Sequence, residues 1–256
     1  MDLFKILTNK KIIVFLLYFK LFRSIFRELK FYYLVKSKIF GNFYIYLPRH
    51  LNYYFKKKYE NNTINFIKTK LDNYDTKNYI IDVGANIGIY SLYFKKNYSS
   101  KVELFEPDIN NANLLKKTKF LNKFKFFKIN SFCLSDSNSK KEFLLDDIRG
   151  MTGTLSNNRN FIQKHQKLKK KILVKTKKFD SIYSFKKKIF LIKIDVEGHE
   201  IEVFRGMLKN IKHNKPIIVI ESNKNNIKPI KKILITFGYK HKYISKDLNY
   251  VFYQSN

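Results

Sequence analysis

The stretch YIIDVGANIGIYSLYF, residues 79–94, decides the fold. Tyr79–Val83 is a short apolar run of the kind that forms a buried strand. Gly84 and Gly88 interrupt it, and the spacing of Ile89, Leu92 and Tyr93 then predicts a helix over 88–97. A strand that passes through a glycine turn into a helix presents free backbone amides at the strand's carboxyl end, where open α/β sheets bind ligands. The turn reads G-A-N-I-G. It lacks the third glycine of a dinucleotide fingerprint and carries no basic residue aimed at phosphate, so a nicotinamide enzyme is the weakest reading. Asp82, just before the turn, would repel a pyrophosphate and suits a cationic group such as an amino group.

Outward from this stretch the pattern repeats. KVELFEP (101–107) predicts a second strand, stopped by Pro107, and DINNANLLKKTKF (108–120) a helix with Asp108 as N-cap. KFFKI (125–129) predicts a third strand, IFLIKIDV (189–196) and PIIVIES (216–222) two more buried ones. Helices are expected over 199–210 and 225–238, the latter stopped by Gly238, and YKHKYISKDLNYVFYQ (239–254) reads as an antiparallel hairpin. KKEFLLD (140–146) and KILVKTKKF (171–179) read as strands flanking the loop 147–158, taken together as a β insertion in the sheet. The alternation predicts an α/β, Rossmann-like fold: a mostly parallel sheet with helices on both faces.

Glu106 ends the second strand, where its carboxylate could accept both hydroxyls of a ribose. An amino group, a ribose and no phosphate together describe S-adenosylmethionine.

Composition sets further bounds. The chain has 256 residues, enough for one domain with an appendage. We divide it into a basic amphipathic helical extension, 1–58, and a domain, 59–256. Cys133 is the single cysteine, which excludes an intrachain disulfide and a cysteine-built zinc site and fits a reducing, cytoplasmic setting. The formal net charge of +32 comes from lysine clusters spread along the chain. Abundant Asn, Ile, Lys, Phe and Tyr with scarce Gly and Pro also match AT-rich coding. The lysines lack the arginine emphasis expected of base reading, so nucleic acid is not the favoured partner. In the extension, the apolar run Ile12–Phe19 is too short to span a bilayer, and no small-residue cleavage site follows. With Arg23, Arg27 and Lys30 it reads as a basic amphipathic helix, packed on its own domain or lying on an anionic membrane face. IFGNFYIYLPRH (39–50) alternates like a short strand or hairpin around Gly41–Asn42.

DVGANIGIYS (82–91), FEP (105–107), IKIDVEGHE (192–200) and IES (220–222) occur in an order that resembles the FkbM-type methyltransferases, a branch of the class I, S-adenosylmethionine-dependent enzymes. YENNTINF (59–66), SFCLSDSNSKKEF (131–143) and GMTGTLS (150–156) are similar to further segments of that family. The resemblance covers roughly residues 59–222. It implies that Asp82, Gly84, Ala85, Asn86 and Gly88 hold the methionine end of the cofactor and that Glu106 binds the ribose. It also implies that Ser135 and Asp136 lie near the adenine edge and that Glu60 closes over the carboxypropyl end.

Asp195, Glu197 and His199 follow a buried strand and are the catalytic candidates. Transfer to a hydroxyl gains from a group that removes its proton, and histidine has the most suitable unperturbed pKa. Glu197 or Glu200 could instead favour a helix N-terminus, and His199 could simply cap it. A metal held by Asp195, Glu197 and Glu221 is conceivable, but the spacing does not demand one. Lys193 and Glu221, at strand ends, could touch substrate or each other. The resemblance implies O-methylation of a sugar, glycan or secondary-metabolite hydroxyl, with a lipid-linked glycan accounting for both basic surface and amphipathic N-terminus. The alternatives are an RNA methyltransferase, supported only by charge, and a non-catalytic membrane-associated protein that keeps the fold.

Overall fold

The computed structural model describes residues 32–37, 43–48, 60–146, 153–155 and 168–254. The amphipathic helix expected before residue 32 and the turn at Gly41–Asn42 lie outside these. The described part of the extension is not helical: β1 (Tyr32–Ser37) and β2 (Phe43–Pro48) pair as an antiparallel hairpin. Among the described residues no helix is long and apolar enough to cross a membrane.

The domain follows the expected alternation. Helix α1 (Asn61–Lys68) precedes strand β3 (Tyr79–Val83), helix α2 (Ile89–Tyr98), strand β4 (Lys101–Phe105), helix α3 (Ile109–Leu121) and strand β5 (Phe127–Asn130). The strands β6 (Cys133–Leu134), β7 (Ser139–Asp146), β8 (Gly153–Thr154) and β9 (Leu168–Lys177) come next. The chain continues through α4 (Phe179–Ile182), β10 (Ile189–Ile194), α5 (Glu200–Asn214), β11 (Ile217–Glu221) and α6 (Ile227–Thr236), and closes with the hairpin β12 (Tyr239–Ile244) and β13 (Asn249–Gln254).

Seven strands form one sheet in the order β12-β13-β11-β10-β3-β4-β5. The five from β11 to β5 run parallel, and β13 pairs antiparallel with both β11 and β12. The order reverses between β3 and β10, so the crevice above their carboxyl ends is the switch point at which such sheets bind ligands. Alternate side chains feed opposite faces. Ile80, Leu104, Leu191 and Val219 pack against Ile64, Phe94 and Leu115 of α1, α2 and α3. Ile81, Phe105, Ile192 and Ile218 pack against Phe204, Met207 and Leu234 of α5 and α6. Burial on both faces explains why the central strands read as uninterrupted apolar runs.

Two features depart from expectation. The middle strands do not insert into the main sheet; they make a second sheet, ordered β6-β9-β7-β8, around its own small core of Cys133, Phe143, Leu155 and Val174. Helix α1 was not foreseen because its cap comes from far away. The Asp247 carboxylate, in the β12–β13 turn, accepts from Thr63 N–H at 2.6 Å and from Thr63 Oγ1 at 2.8 Å. The local signal at α3 held: Asp108 accepts from Asn110 N–H at 2.8 Å.

The small sheet is seated by helix α5. A Cβ on Gly206 would lie 2.0 Å from the Ser135 carbonyl oxygen, so helix and loop meet backbone to backbone. Glycine to alanine inside a helix ordinarily stabilises by about 1 kcal/mol. For Gly206→Ala the sign should reverse, with a loss of roughly 1–3 kcal/mol as α5 is pushed off the loop. Chemical denaturation of the two proteins measures this, and a more stable variant would mean the contact yields freely.

Candidate active site

The turn after β3 is shaped by one close approach. Gly84 has φ +77°, and a Cβ there would stand 1.8 Å from the Asp195 carbonyl oxygen. Any side chain would drive apart the carboxyl ends of β3 and β10. Asp195 N–H donates to Val83 O at 3.0 Å, and Gly84 N–H donates to Phe105 O at 3.0 Å, so three strand ends are stitched together here. Ala85 and Gly88 complete the turn through a bond from Gly88 N–H to Ala85 O. Asp82 is buried beneath it. Its carboxylate accepts from Ser91 Oγ at 2.6 Å and lies 3.3 Å from Ser91 N, which ties β3 to the start of α2. Burial lifts the Asp82 carboxyl to about 6, against the opposing hydrogen bonds from Ser91.

A cavity with roughly 720 Å³ of empty space, partly open to solvent, lies over these strand ends. Six of the residues expected at the site line it: Gly84, Asn86, Glu106, Asp195, Glu197 and His199. The Glu106 carboxylate is held from behind by two amides, Asn86 N–H at 2.7 Å and Asp108 N–H at 2.8 Å. Each oxygen keeps acceptor capacity. Burial is the largest influence on Glu106 and pushes its carboxyl up to about 8 despite those two amides. The opposite wall comes from the small sheet, through Phe143, Leu145, Gly153 and Leu155.

Other expected residues stand elsewhere. Ser135 is fully buried behind His199, with Oγ 3.0 Å from His199 Nε2, and Asp136 Oδ1 lies 3.3 Å from the same hydroxyl. Neither is among the lining residues; their neighbours Cys133 and Leu134 are. The reason is the Gly206 contact, which draws Ser135 onto α5. His199 Nδ1 lies 3.4 Å from Glu202, so both ring nitrogens have partners, and burial lowers the imidazole's pKa. Glu197 has φ +53°, and its carbonyl accepts from Thr154 Oγ1 at 2.7 Å, which fastens β8 over the site. Burial first, then Asp195 and Glu200, raise the Glu197 carboxyl to about 8.

Glu60 belongs to a cluster beside the cavity, centred on Lys193, which is only 2% exposed. The Lys193 ammonium lies 3.6 Å from Asp195, 3.9 Å from Glu60 and 3.9 Å from Glu221, and donates to Asn249 Oδ1 at 3.0 Å. Glu60 accepts from Tyr90 Oη and from Asn249 Nδ2. Burial alone would lower the Lys193 pKa, but the surrounding carboxylates outweigh it and raise it. One ammonium cannot neutralise three carboxylates, and the half-buried Glu221, desolvated and beside Asp195, is pushed up to about 9. Carboxylate oxygens of Glu60, Asp195 and Glu221 lie within 4.8 Å of one another and could hold a hard cation. The grouping weighed from the sequence had Glu197 in place of Glu60; in the fold, the Lys193 ammonium sits among these three. Asn249 and Tyr90 carried no sequence signal for this role, because only the fold brings them to Glu60.

The cavity's chemistry fits S-adenosylmethionine. Its described lining holds four carboxylates, Glu106, Asp108, Asp195 and Glu197, and no lysine or arginine. A phosphate-bearing ligand would find no cationic partner in this lining, whereas the positive charge of a sulfonium would favour the ionised form of the carboxyl groups that burial holds protonated. Leu134, Val196 and Leu155 offer apolar surface for a flat base.

A family model described as the methyltransferase FkbM domain matches residues 82–250. No curated protein sequence matches the chain. Among solved structures, an FkbM methyltransferase from Methylobacillus flagellatus KT is similar at 16% identity and a TM-score of 0.50, over 71% of this chain and 44% of that one. The chain thus spans less than half the length of that relative. The N-terminal domain of human METTL16, solved in complex with SAH, is similar at 14% identity and a TM-score of 0.43, over 74% of this chain and 68% of that one. At these identities the likeness is one of fold. With the family model reaching from the end of β3 to the closing hairpin, this chain belongs to the FkbM family of methyltransferases, S-adenosylmethionine-dependent enzymes of the class I fold.

Proposed function

We infer that the chain methylates a hydroxyl of a sugar, glycan or comparable polyol, with S-adenosylmethionine as donor. One observation carries the reading: a chain of net charge +32 keeps lysine and arginine out of the described lining of its cavity and places four carboxylates there. When bound, the cofactor supplies an electrophilic methyl group. Glu106, fixed by the Asn86 and Asp108 amides, would accept from the ribose hydroxyls. The turn residues Gly84, Ala85, Asn86 and Gly88 would shape the methionine end, with Asp82 holding the turn from below. Ser135 and Asp136 support His199 from behind the wall.

The acceptor's proton needs a base. Of Asp195, Glu197 and His199, Glu197 fits best. It lines the cavity, its backbone is clamped by Thr154, and its carboxyl is poised close to neutrality. Burial lowers the pKa of His199, but its ring is already engaged by Ser135 and Glu202 and suits a positioning role. Asp195, anchored to Lys193, could accept a hydrogen bond from an acceptor hydroxyl.

Three outcomes test this. In calorimetric titration, S-adenosylmethionine should bind the protein, and Glu106→Ala should weaken binding at least about tenfold, the loss of the hydrogen bonds its carboxyl group makes to the ribose hydroxyls; no binding to the unaltered protein would overturn the reading. Using a radiolabelled methyl donor to find a polyol acceptor, Glu197→Gln should keep cofactor affinity and lower turnover by about 10²- to 10⁴-fold. Unchanged turnover would remove Glu197 as the base.

The third concerns stability. A carboxyl whose pKa is raised on folding binds its proton more tightly in the native state. Its stabilising contribution is full below the unfolded value and is lost as pH rises through the folded one. For Glu106 that window runs from 4.5 to about 8. The ligand-free protein's thermal midpoint should therefore fall between pH 5 and 9, and Glu106→Gln should fall less steeply. Parallel profiles would show that Glu106 titrates normally.

A further inference from the structure

The amino ends of the strands carry a feature that the cavity's chemistry does not use. Where α3 runs into β5, Phe120 is 82% exposed, Leu121 40% and Phe126 68%. These are not loose side chains on a loose loop. Asn122 N–H and Lys123 N–H bond back to Thr118 O and Phe120 O, and Phe124 N–H donates to Lys119 O, which closes the helix end tightly. Phe124 packs on fully buried Phe127, with ring centroids 5.6 Å apart. Two phenylalanines thus root the turn in the core while two point outward. Phe126 does so with φ +52°, a conformation that bulky residues rarely adopt. A backbone held off its preferred conformation to present an aromatic ring to water is the kind of outlier from which a function is inferred.

Along this stretch of the chain the charge is of one sign. Between Asp108 and Asp136 the chain carries six lysines, Lys116, Lys117, Lys119, Lys123, Lys125 and Lys128, and no acidic residue. Glu103, the acid that Lys128 reaches at 2.6 Å, is buried inside the sheet. Aromatic and aliphatic side chains ringed by lysines are the chemistry of an interfacial anchor. The rings enter the headgroup boundary, and each nearby lysine gains from the negative surface potential. Lysine in place of arginine, and Leu121 beside the two rings, favour a lipid surface over single-stranded RNA, which stacks bases on aromatic faces.

We propose that the α3–β5 turn, through Phe120, Leu121 and Phe126 within their lysine collar, docks the protein on the surface of an anionic phospholipid bilayer. The occupant is the headgroup layer itself, and penetration stops at the three side chains.

The chain contains no tryptophan, so Phe126→Trp supplies a single fluorescent reporter in the full-length protein. Its emission should shift to the blue with phosphatidylglycerol vesicles, and brominated phosphatidylglycerol should quench it. Phosphatidylcholine vesicles should do neither. Phe120→Ser/Phe126→Ser should lower partitioning into phosphatidylglycerol vesicles about tenfold or more, with thermal midpoint and S-adenosylmethionine affinity unchanged. Four results would overturn the proposal: no vesicle binding; binding without a spectral shift, as expected if residues 1–31 alone did the docking; emission already blue without vesicles, as expected if another part of the chain or a second copy covered the turn; or quenching by oligouridylate but not by vesicles.

Discussion

The carbonyl oxygen of Asp195 comes so near Gly84 that no side chain fits between them. This approach brings the ends of β3 and β10 together at the point where strand order reverses, and the rest of the site is arranged around it. Gly84 can then reach Phe105 O, which fixes the end of β4 and with it Glu106. Asp195 is left with its backbone in the turn and its carboxylate toward Lys193. A site assembled from three strand ends thus depends on one missing methyl group. The glycine's conformational cost is small beside the separation of strands that a larger residue would enforce.

Electrostatics divides the molecule. Lysines cover the outside, while the cavity and its neighbouring cluster gather carboxylates in low-dielectric surroundings. Burial raises Asp82, Glu106, Glu197 and Glu221 together, so the ligand-free site holds protons that solvent-exposed carboxylates would have released. The Lys193 ammonium relieves part of this repulsion and also organises it. It ties the start of α1 through Glu60, the closing hairpin through Asn249 and the cavity wall through Asp195. Removing one partner would leave the others buried and uncompensated.

Much of this was legible in the sequence. The central strands are buried on both faces and announce themselves as apolar runs, so β3, β4, β10 and β11 were placed closely. Gly84, Asn86, Glu106 and Asp195 were legible because each follows directly from the end of such a strand. What escaped depends on contacts between distant segments. Asp247 caps α1 from 184 residues away, and Asn249 meets Glu60 across 189. Ser135 is drawn behind His199 by the α5 contact, which no local pattern reports. The small sheet was visible as strands but not as a separate layer, because alternation at Phe143 and Leu145 says that one face is covered without saying by what. Its role as the second wall of the cavity follows only from the fold.

Helix α3 links the two ends of the molecule. Asp108, its cap, and Asn111, in its first turn, line the cavity, and its last residues carry Phe120 and Leu121. Thirteen helical residues at 1.5 Å each make a strut of about 20 Å. With its far end on a bilayer, the helix would act as a ruler and hold the chemistry that height above the headgroups. An acceptor embedded in the headgroup plane would be out of reach. The outer sugars of a chain long enough to span that gap would not, so the length of α3 would select acceptors by how far they stand from their anchor.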